Sequence, residues 1–179
     1  MVKRITIACL LILSTQAFAQ ENAPEPSETT EKFGAWTVRC VNQQGDAGKA
    51  CEVALAVQGQ GGLIAQIAVG NPKDGDNPLI VGRTPLGVLV SEPVTIVAQG
   101  DEAAKLTLPF VTCLANGCLA QASVSGDDLG KLAARDTGAV TFAERTGRKV
   151  QINIPLAGLT DALTRIGLDC GSGSCKPAE

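Results

Sequence analysis

Few residues of this chain are equipped for chemistry. Its 179 residues include seven cysteines, one tryptophan and no histidine. Without an imidazole there can be no Ser-His-Asp triad, no Cys-His pair and no His-ligated zinc. Carboxylates remain. Asp127-Asp128 is an adjacent acid pair, but at a helix start two acids are explained by the helix dipole. Asp74 and Asp76 flank Gly75 and could touch calcium, yet that ion takes about six to eight oxygens and the rest of an EF-hand pattern is missing. Gly59-Gln60-Gly61-Gly62 lacks the Lys-Ser/Thr of a phosphate loop and reads as a hairpin turn. No serine sits in Gly-x-Ser-x-Gly; Gly171-Ser172-Gly173-Ser174 comes nearest. Arg83, Arg135, Arg145, Arg148 and Lys149 supply a modest basic content, with the last three around Gly147 marking an exposed hairpin tip. A net charge of −3 argues against nucleic acid as partner, and 3% aromatic content argues against stacking platforms for bases or sugars.

The N-terminus carries an address. Met1-Val2-Lys3-Arg4 is a basic start, Ile5 to Leu13 is nearly all apolar, and Ala17-Phe18-Ala19 is the small-x-small pattern of signal-peptidase sites. Residues 1–19 are expected to be a signal peptide, cut between Ala19 and Gln20. The apolar run is nine residues long, about half of the roughly 20 that a membrane-spanning helix needs. No later segment approaches that length, so no transmembrane segment is expected after cleavage. Removal of the signal leaves 160 residues, six cysteines, 13 basic and 18 acidic side chains, and a net charge of −5.

An even number of cysteines in an exported chain reads as a disulfide framework. Spacing favours neighbours: Cys40 with Cys51, Cys113 with Cys118, and Cys170 with Cys175. Each local bridge contributes about 2–3 kcal/mol by the loop-entropy argument. The alternative is four thiolates on zinc from the two Cys-x4-Cys pairs. Known zinc knuckles more often use about two to four intervening residues, and export sets oxidation against metal. Neither pair has the Cys-x-x-Cys spacing of a redox site. No cofactor and no metal are expected.

The elements that must hold these residues are short strands. Residues 20–32, rich in Glu, Pro, Ser and Thr, are expected to be a disordered leader. Phe33 to Cys40 and Cys51 to Val57 alternate, placing Trp36, Val38 and Cys40 on one face and Cys51, Val53, Leu55 and Val57 on another. A polar loop at 42–49 makes them a hairpin. Further strands are expected at Leu63–Val69, Leu79–Val81, Gly87–Val90, Val94–Ala98, Lys105–Cys113, Cys118–Val124, Val140–Ala143 and Lys149–Ile154, with turns between, as at Asn71–Pro78. Asn116-Gly117 marks a turn. Opposed cysteines at 113 and 118 suit a four-residue loop, Leu114 to Gly117. Two short helices interrupt the strands. Ser125–Arg135 offers an Asp cap and places Leu129, Leu132 and Ala133 on one face. Leu156–Leu168 places Leu159, Ala162, Leu163 and Ile166 on another, started at Gly158 or Thr160. This pattern predicts a mainly β, antiparallel sandwich or barrel-like domain with two short helices, stapled by disulfides.

The order of these features resembles the invasion-associated locus B family. The residues that carry the likeness are Phe33-Gly34-x-Trp36-x-Val38-x-Cys40, Cys51-Glu52, Pro85-Leu86-Gly87-Val88, Cys113-x4-Cys118 with Gly117 before the second cysteine, and Leu159-x-x-Ala162-Leu163. It covers roughly residues 33–166. The family consists of small exported alphaproteobacterial proteins, and the likeness implies Cys40–Cys51 and Cys113–Cys118 as shared bridges. It supplies no catalytic residues. The tail, Asp169 to Glu179, departs from the pattern.

The expected organisation is therefore a signal peptide at 1–19, a leader at 20–32, a β domain at 33–168 and a bridged tail at 169–179. The expected function is non-enzymatic: a protein-interaction or structural module of the periplasm or cell surface, with an unknown protein as partner and an open oligomeric state. Two alternatives compete. One is a small-ligand binder using a gap between sheets, suggested by many small apolar residues and few aromatics. The other is a hydrolase using carboxylates alone, which needs two acids about 5–10 Å apart in a cleft.

Overall fold

The computed structural model describes residues 27–43, 48–71 and 77–178. The signal segment with its Ala19/Gln20 junction, Asp74 and Asp76 lie outside the described residues. The elements, in chain order, are β1 (Glu28–Phe33), β2 (Trp36–Asn42), β3 (Lys49–Gly59), β4 (Gly62–Gly70), β5 (Leu79–Thr84), β6 (Val94–Ala98), β7 (Asp101–Leu108), β8 (Phe110–Leu114), β9 (Gly117–Ser123), α1 (Gly126–Ala133), β10 (Thr137–Ala143), β11 (Lys149–Pro155), α2 (Leu159–Arg165), β12 (Leu168–Asp169) and β13 (Lys176–Pro177).

The strands form an antiparallel sandwich rather than a closed barrel. A seven-stranded sheet runs β1-β2-β3-β4-β5-β9-β8, and a four-stranded sheet runs β11-β10-β6-β7. The alternation seen in the sequence decides which side is inward. Trp36, Val38, Val53, Leu55, Ile67, Val69 and Ile80 of the larger sheet join Val94, Ile96, Leu106, Leu108, Val140, Phe142 and Ile154 of the smaller in one buried cluster. Gly82 sits where the two sheets meet, and a Cβ there would lie 3.6 Å from both Leu108 and Val94, an ordinary packing distance. Leu129, Leu132 and Ala133 of α1, Leu159, Ala162 and Leu163 of α2, and Ile166 just after it enter the same cluster.

The structure corrects several expectations. Lys105–Cys113 is not one strand. Pro109 has no N–H for a ladder, and the chain breaks there, leaving the four-stranded sheet as β7 and entering the seven-stranded sheet as β8. Gly87–Val90 is no strand; Val88 makes a single bridge to Glu144 within a loop. The expected leader is ordered strand from Glu28. β1 pairs along the whole of β2, and Glu28 and Glu31 bond Arg39 and Arg165. An edge strand with alternate residues in solvent carries polar side chains, and these hid it. The helix cap is Ser125, not an aspartate: its Oγ accepts from Asp128 N at 3.1 Å and donates to Asp128 Oδ2 at 2.7 Å. The β8–β9 turn is tighter than expected, because Leu114 pairs with Gly117 and only Ala115-Asn116 lie outside the ladder.

The tail is more than a bridged appendage. β12 and β13 form a small hairpin closed by Cys170–Cys175, and both cysteines are buried in the main core. The loop lies directly on α1, where Cys175 N donates to Gly126 O at 2.8 Å.

Candidate functional site

Three disulfides pair each of the six described cysteines with its sequence neighbour: Cys40–Cys51, Cys113–Cys118 and Cys170–Cys175, with Cα–Cα separations of 4.0, 3.9 and 4.0 Å. Cys40 faces Cys51 across β2–β3, and Cys113 faces Cys118 across β8–β9. The sulfurs of both Cys-x4-Cys pairs are thus spent on bridges, and no cluster of three or more metal-ligating side chains occurs among the described residues.

Asp127 and Asp128 begin α1. The Ser125 hydroxyl and then the Lys131 ammonium hold the Asp128 carboxyl below its usual range. The Arg39, Arg165 and Arg135 guanidiniums do the same for Glu28, Glu31 and Asp101. Every resolved carboxyl shift is thus downward, toward the ionised base and away from the raised value of a general acid. Gly59 pairs with Gly62 across the β3–β4 turn. Arg145, Arg148 and Lys149 are exposed around the β10–β11 turn, with Arg148 bonded to Glu144. The predicted residues therefore staple and cap; they do not converge on one site.

The convergence lies elsewhere, on the outer face of the seven-stranded sheet. A trough of about 370 Å³ is lined by Arg39, Val41, Glu52, Ala68, Leu79 and Val81, among others. It continues into one of about 210 Å³ that shares Glu52, Ala68 and Val81 and ends on Gln66, Arg83 and Leu119. Register explains its shape. Gly70, Ala68 and Gln66 of β4 pair with Leu79, Val81 and Arg83 of β5, so small or apolar residues form a floor with a polar end. Leu119 of β9 pairs with Arg83. Arg39 and Glu52, paired across β2–β3 with 4.0 Å between their charges, form one wall.

Arg83 is held in place at the polar end. Its Nη2 donates to Gln66 Oε1 at 2.6 Å. Its Nε is shielded from water and has no acceptor. Its stem lies beside Gly117, whose φ of 135° and closeness to Thr84 O, 2.3 Å from a would-be Cβ, exclude any side chain. The turn of the Cys113–Cys118 hairpin thus packs beside the Arg83 stem at the polar end of the trough. By contrast, the depression on the four-stranded sheet, about 360 Å³, is lined mainly by polar residues such as Thr95, Gln99, Thr141, Gln151 and Asn153. Sequence reasoning noted Arg83 only as one basic residue among several. The available signal was the outward positions of β3 to β5, where Ala54, Ala56, Ala68 and Val81 stand in place of charged residues.

Comparison with known proteins fits this fold. A family model described as "Invasion associated locus B (IalB) protein" matches residues 36–167. The crystal structure of invasion-associated protein B from Bartonella henselae superposes with a TM-score of 0.64 at 21% identity, over 77% of this chain and 95% of that one. No curated protein sequence matches. No helix among the described residues is long and apolar enough to cross a membrane. The family match takes in both hairpin disulfides and the trough, stops before the bridged tail, and covers most of the chain, which therefore belongs to the invasion-associated locus B family.

Proposed function

We propose that this chain is a non-enzymatic exported protein of the periplasm or cell surface that binds another protein through the outer face of its seven-stranded sheet. The supporting observation is the trough itself: an apolar, open surface, bounded by Arg39, Glu52, Gln66 and Arg83, on a sheet stiffened by two cross-strand disulfides. Contiguous apolar surface rimmed by polar groups marks an interaction site. Its openness favours a protein over a small molecule, because small-ligand sites enclose about 70–90% of their ligand. Three bridges and the sequence at 1–19 support export.

The test uses the full chain in cells of its own organism, with a photocrosslinking residue at Leu79 on the trough or at Thr141 on the other sheet. A discrete protein adduct from Leu79 and none from Thr141 is expected. Equal adducts from both positions, or none from either, would remove the assignment. The mature N-terminus, sequenced from fractionated cells, is expected to be Gln20 in the periplasmic or surface fraction. Full-length protein in the cytoplasm contradicts export.

A further inference from the structure

Resting on that reading, we infer that the partner presents a carboxylate flanked by apolar side chains, and that Arg83 receives it. Four of the other described arginines are ion-paired: Arg39 with Glu28, Arg135 with Asp101, Arg148 with Glu144 and Arg165 with Glu31. Arg145 is exposed at a hairpin tip. Arg83 alone is partly buried against apolar surface with no carboxylate partner among the described residues, its one hydrogen-bond partner being the neutral Gln66. Glu52, which lines the same trough, is turned to Arg39. A guanidinium partly withdrawn from water without a counter-charge gains by meeting one.

Geometry defines the occupant further. From Leu79 to Arg83 the trough follows β5 for four residues, about 13 Å at the usual strand rise. That length suits an extended segment of about four residues whose apolar side chains lie over Ala68 and Val81 and whose acid meets Arg83. When Arg83 turns from Gln66 toward that acid, Nε and one Nη can take both carboxylate oxygens in the fork geometry arginine favours. This gives the shielded Nε an acceptor and the guanidinium a counter-charge in one step.

The experiment repeats the Leu79 crosslink in Arg83 variants, with Trp36 fluorescence checking that each is folded. Arg83→Gln is expected to lower adduct yield about ten-fold or more, as loss of a charged hydrogen bond does. Arg83→Lys should restore part of it, and Arg145→Gln should leave it unchanged. Leu119→Glu places a carboxylate directly across the ladder from Arg83, within cross-strand reach. It should satisfy Arg83 internally and abolish the adduct, while Leu119→Gln should not. The crosslinked peptide should contain an Asp, a Glu or a C-terminus within a few residues of the adduct. Undiminished yield in Arg83→Gln, equal effects of Leu119→Glu and Leu119→Gln, or a mapped peptide without acid would each overturn the inference while leaving a protein adduct to support protein binding; a lipid adduct would overturn both. Absence of any adduct in the unsubstituted chain would overturn both.

Discussion

Gly130→Ala should destabilise the full chain but stabilise a chain cut after Leu168. Gly130 lies inside α1. In an open helix, alanine in place of glycine gains about 1 kcal/mol. Here a Cβ would stand 2.4 Å from Gly173 O, 2.5 Å from Gly173 C and 2.7 Å from Ser174 Cα. All three are backbone atoms inside the Cys170–Cys175 loop, so no side chain can swing aside. Helix or loop must move. Overpacking of this kind costs about 1–3 kcal/mol. If the loop lifts, the Cys175–Gly126 bond adds about 1 kcal/mol to the loss. Against the helix gain, the net cost in the full chain is about 1–3 kcal/mol. Without the tail the clash disappears and only the gain remains, so the two backgrounds should differ by about 2–4 kcal/mol, with opposite sign. Urea unfolding followed by the fluorescence of Trp36, which is 1% exposed, measures all four chains under oxidising conditions. A stabilising Gly130→Ala in the full chain, or the same cost in both backgrounds, refutes the tail's close seat on α1.

Other outcomes are equally open to measurement. Cys170→Ala with Cys175→Ala should lower stability by about 2 kcal/mol or more, since it opens a short loop whose cysteines are buried in the core; urea midpoints report it. Trp36→Ala should cost about 3–5 kcal/mol, whereas Trp36→Phe should cost much less, because the buried indole N–H has no acceptor to lose; circular dichroism during unfolding compares them. The Glu31 carboxyl, held down by the Arg165 hydrogen bond, should titrate below free glutamates by NMR and return to the ordinary range in Arg165→Gln. Its folded value is depressed, so its contribution is present above the usual glutamate range of about pH 4 and fades as pH falls through the lowered folded value. High salt should shrink it, as both groups face solvent.

The local framework was legible because its causes are local. Cross-strand bridges such as Cys40–Cys51 and Cys113–Cys118 need only alternation and a turn, and both can be seen within a dozen residues. Features set by distant contacts were not legible. Pro109 could be read as a strand end, but not as the place where the chain changes sheets. β1 looked like a leader because its polar side chains face solvent and its bonds are to β2. Two glycines in the eight-residue α1 are the one local sign of such a contact. Glycine weakens a short helix, so Gly126 and Gly130 at i, i+4 call for something that only a missing side chain permits. That something is the tail, more than forty residues later, whose backbone occupies the space of both Cβ atoms.

The trough was hidden for a related reason. Alternation assigns each residue an inward or outward side, but not what surrounds it on that side. Ala68, Val81 and Leu119 each look like ordinary outward residues of separate strands. Only the order β3-β4-β5-β9 brings them together, and Gly117 of the β8–β9 hairpin packs beside the Arg83 stem at the polar end. The disulfide at Cys113–Cys118 therefore does more than stabilise. It fixes the hairpin whose Gly117 lies against the Arg83 stem, and so couples the framework to the proposed recognition residue. Reducing or replacing that bridge should weaken the Leu79 adduct even where the fold survives, whereas opening Cys170–Cys175 should change stability and leave the adduct intact. If both bridges affected the adduct equally, recognition would depend on general stability, and Arg83 would lose its special place.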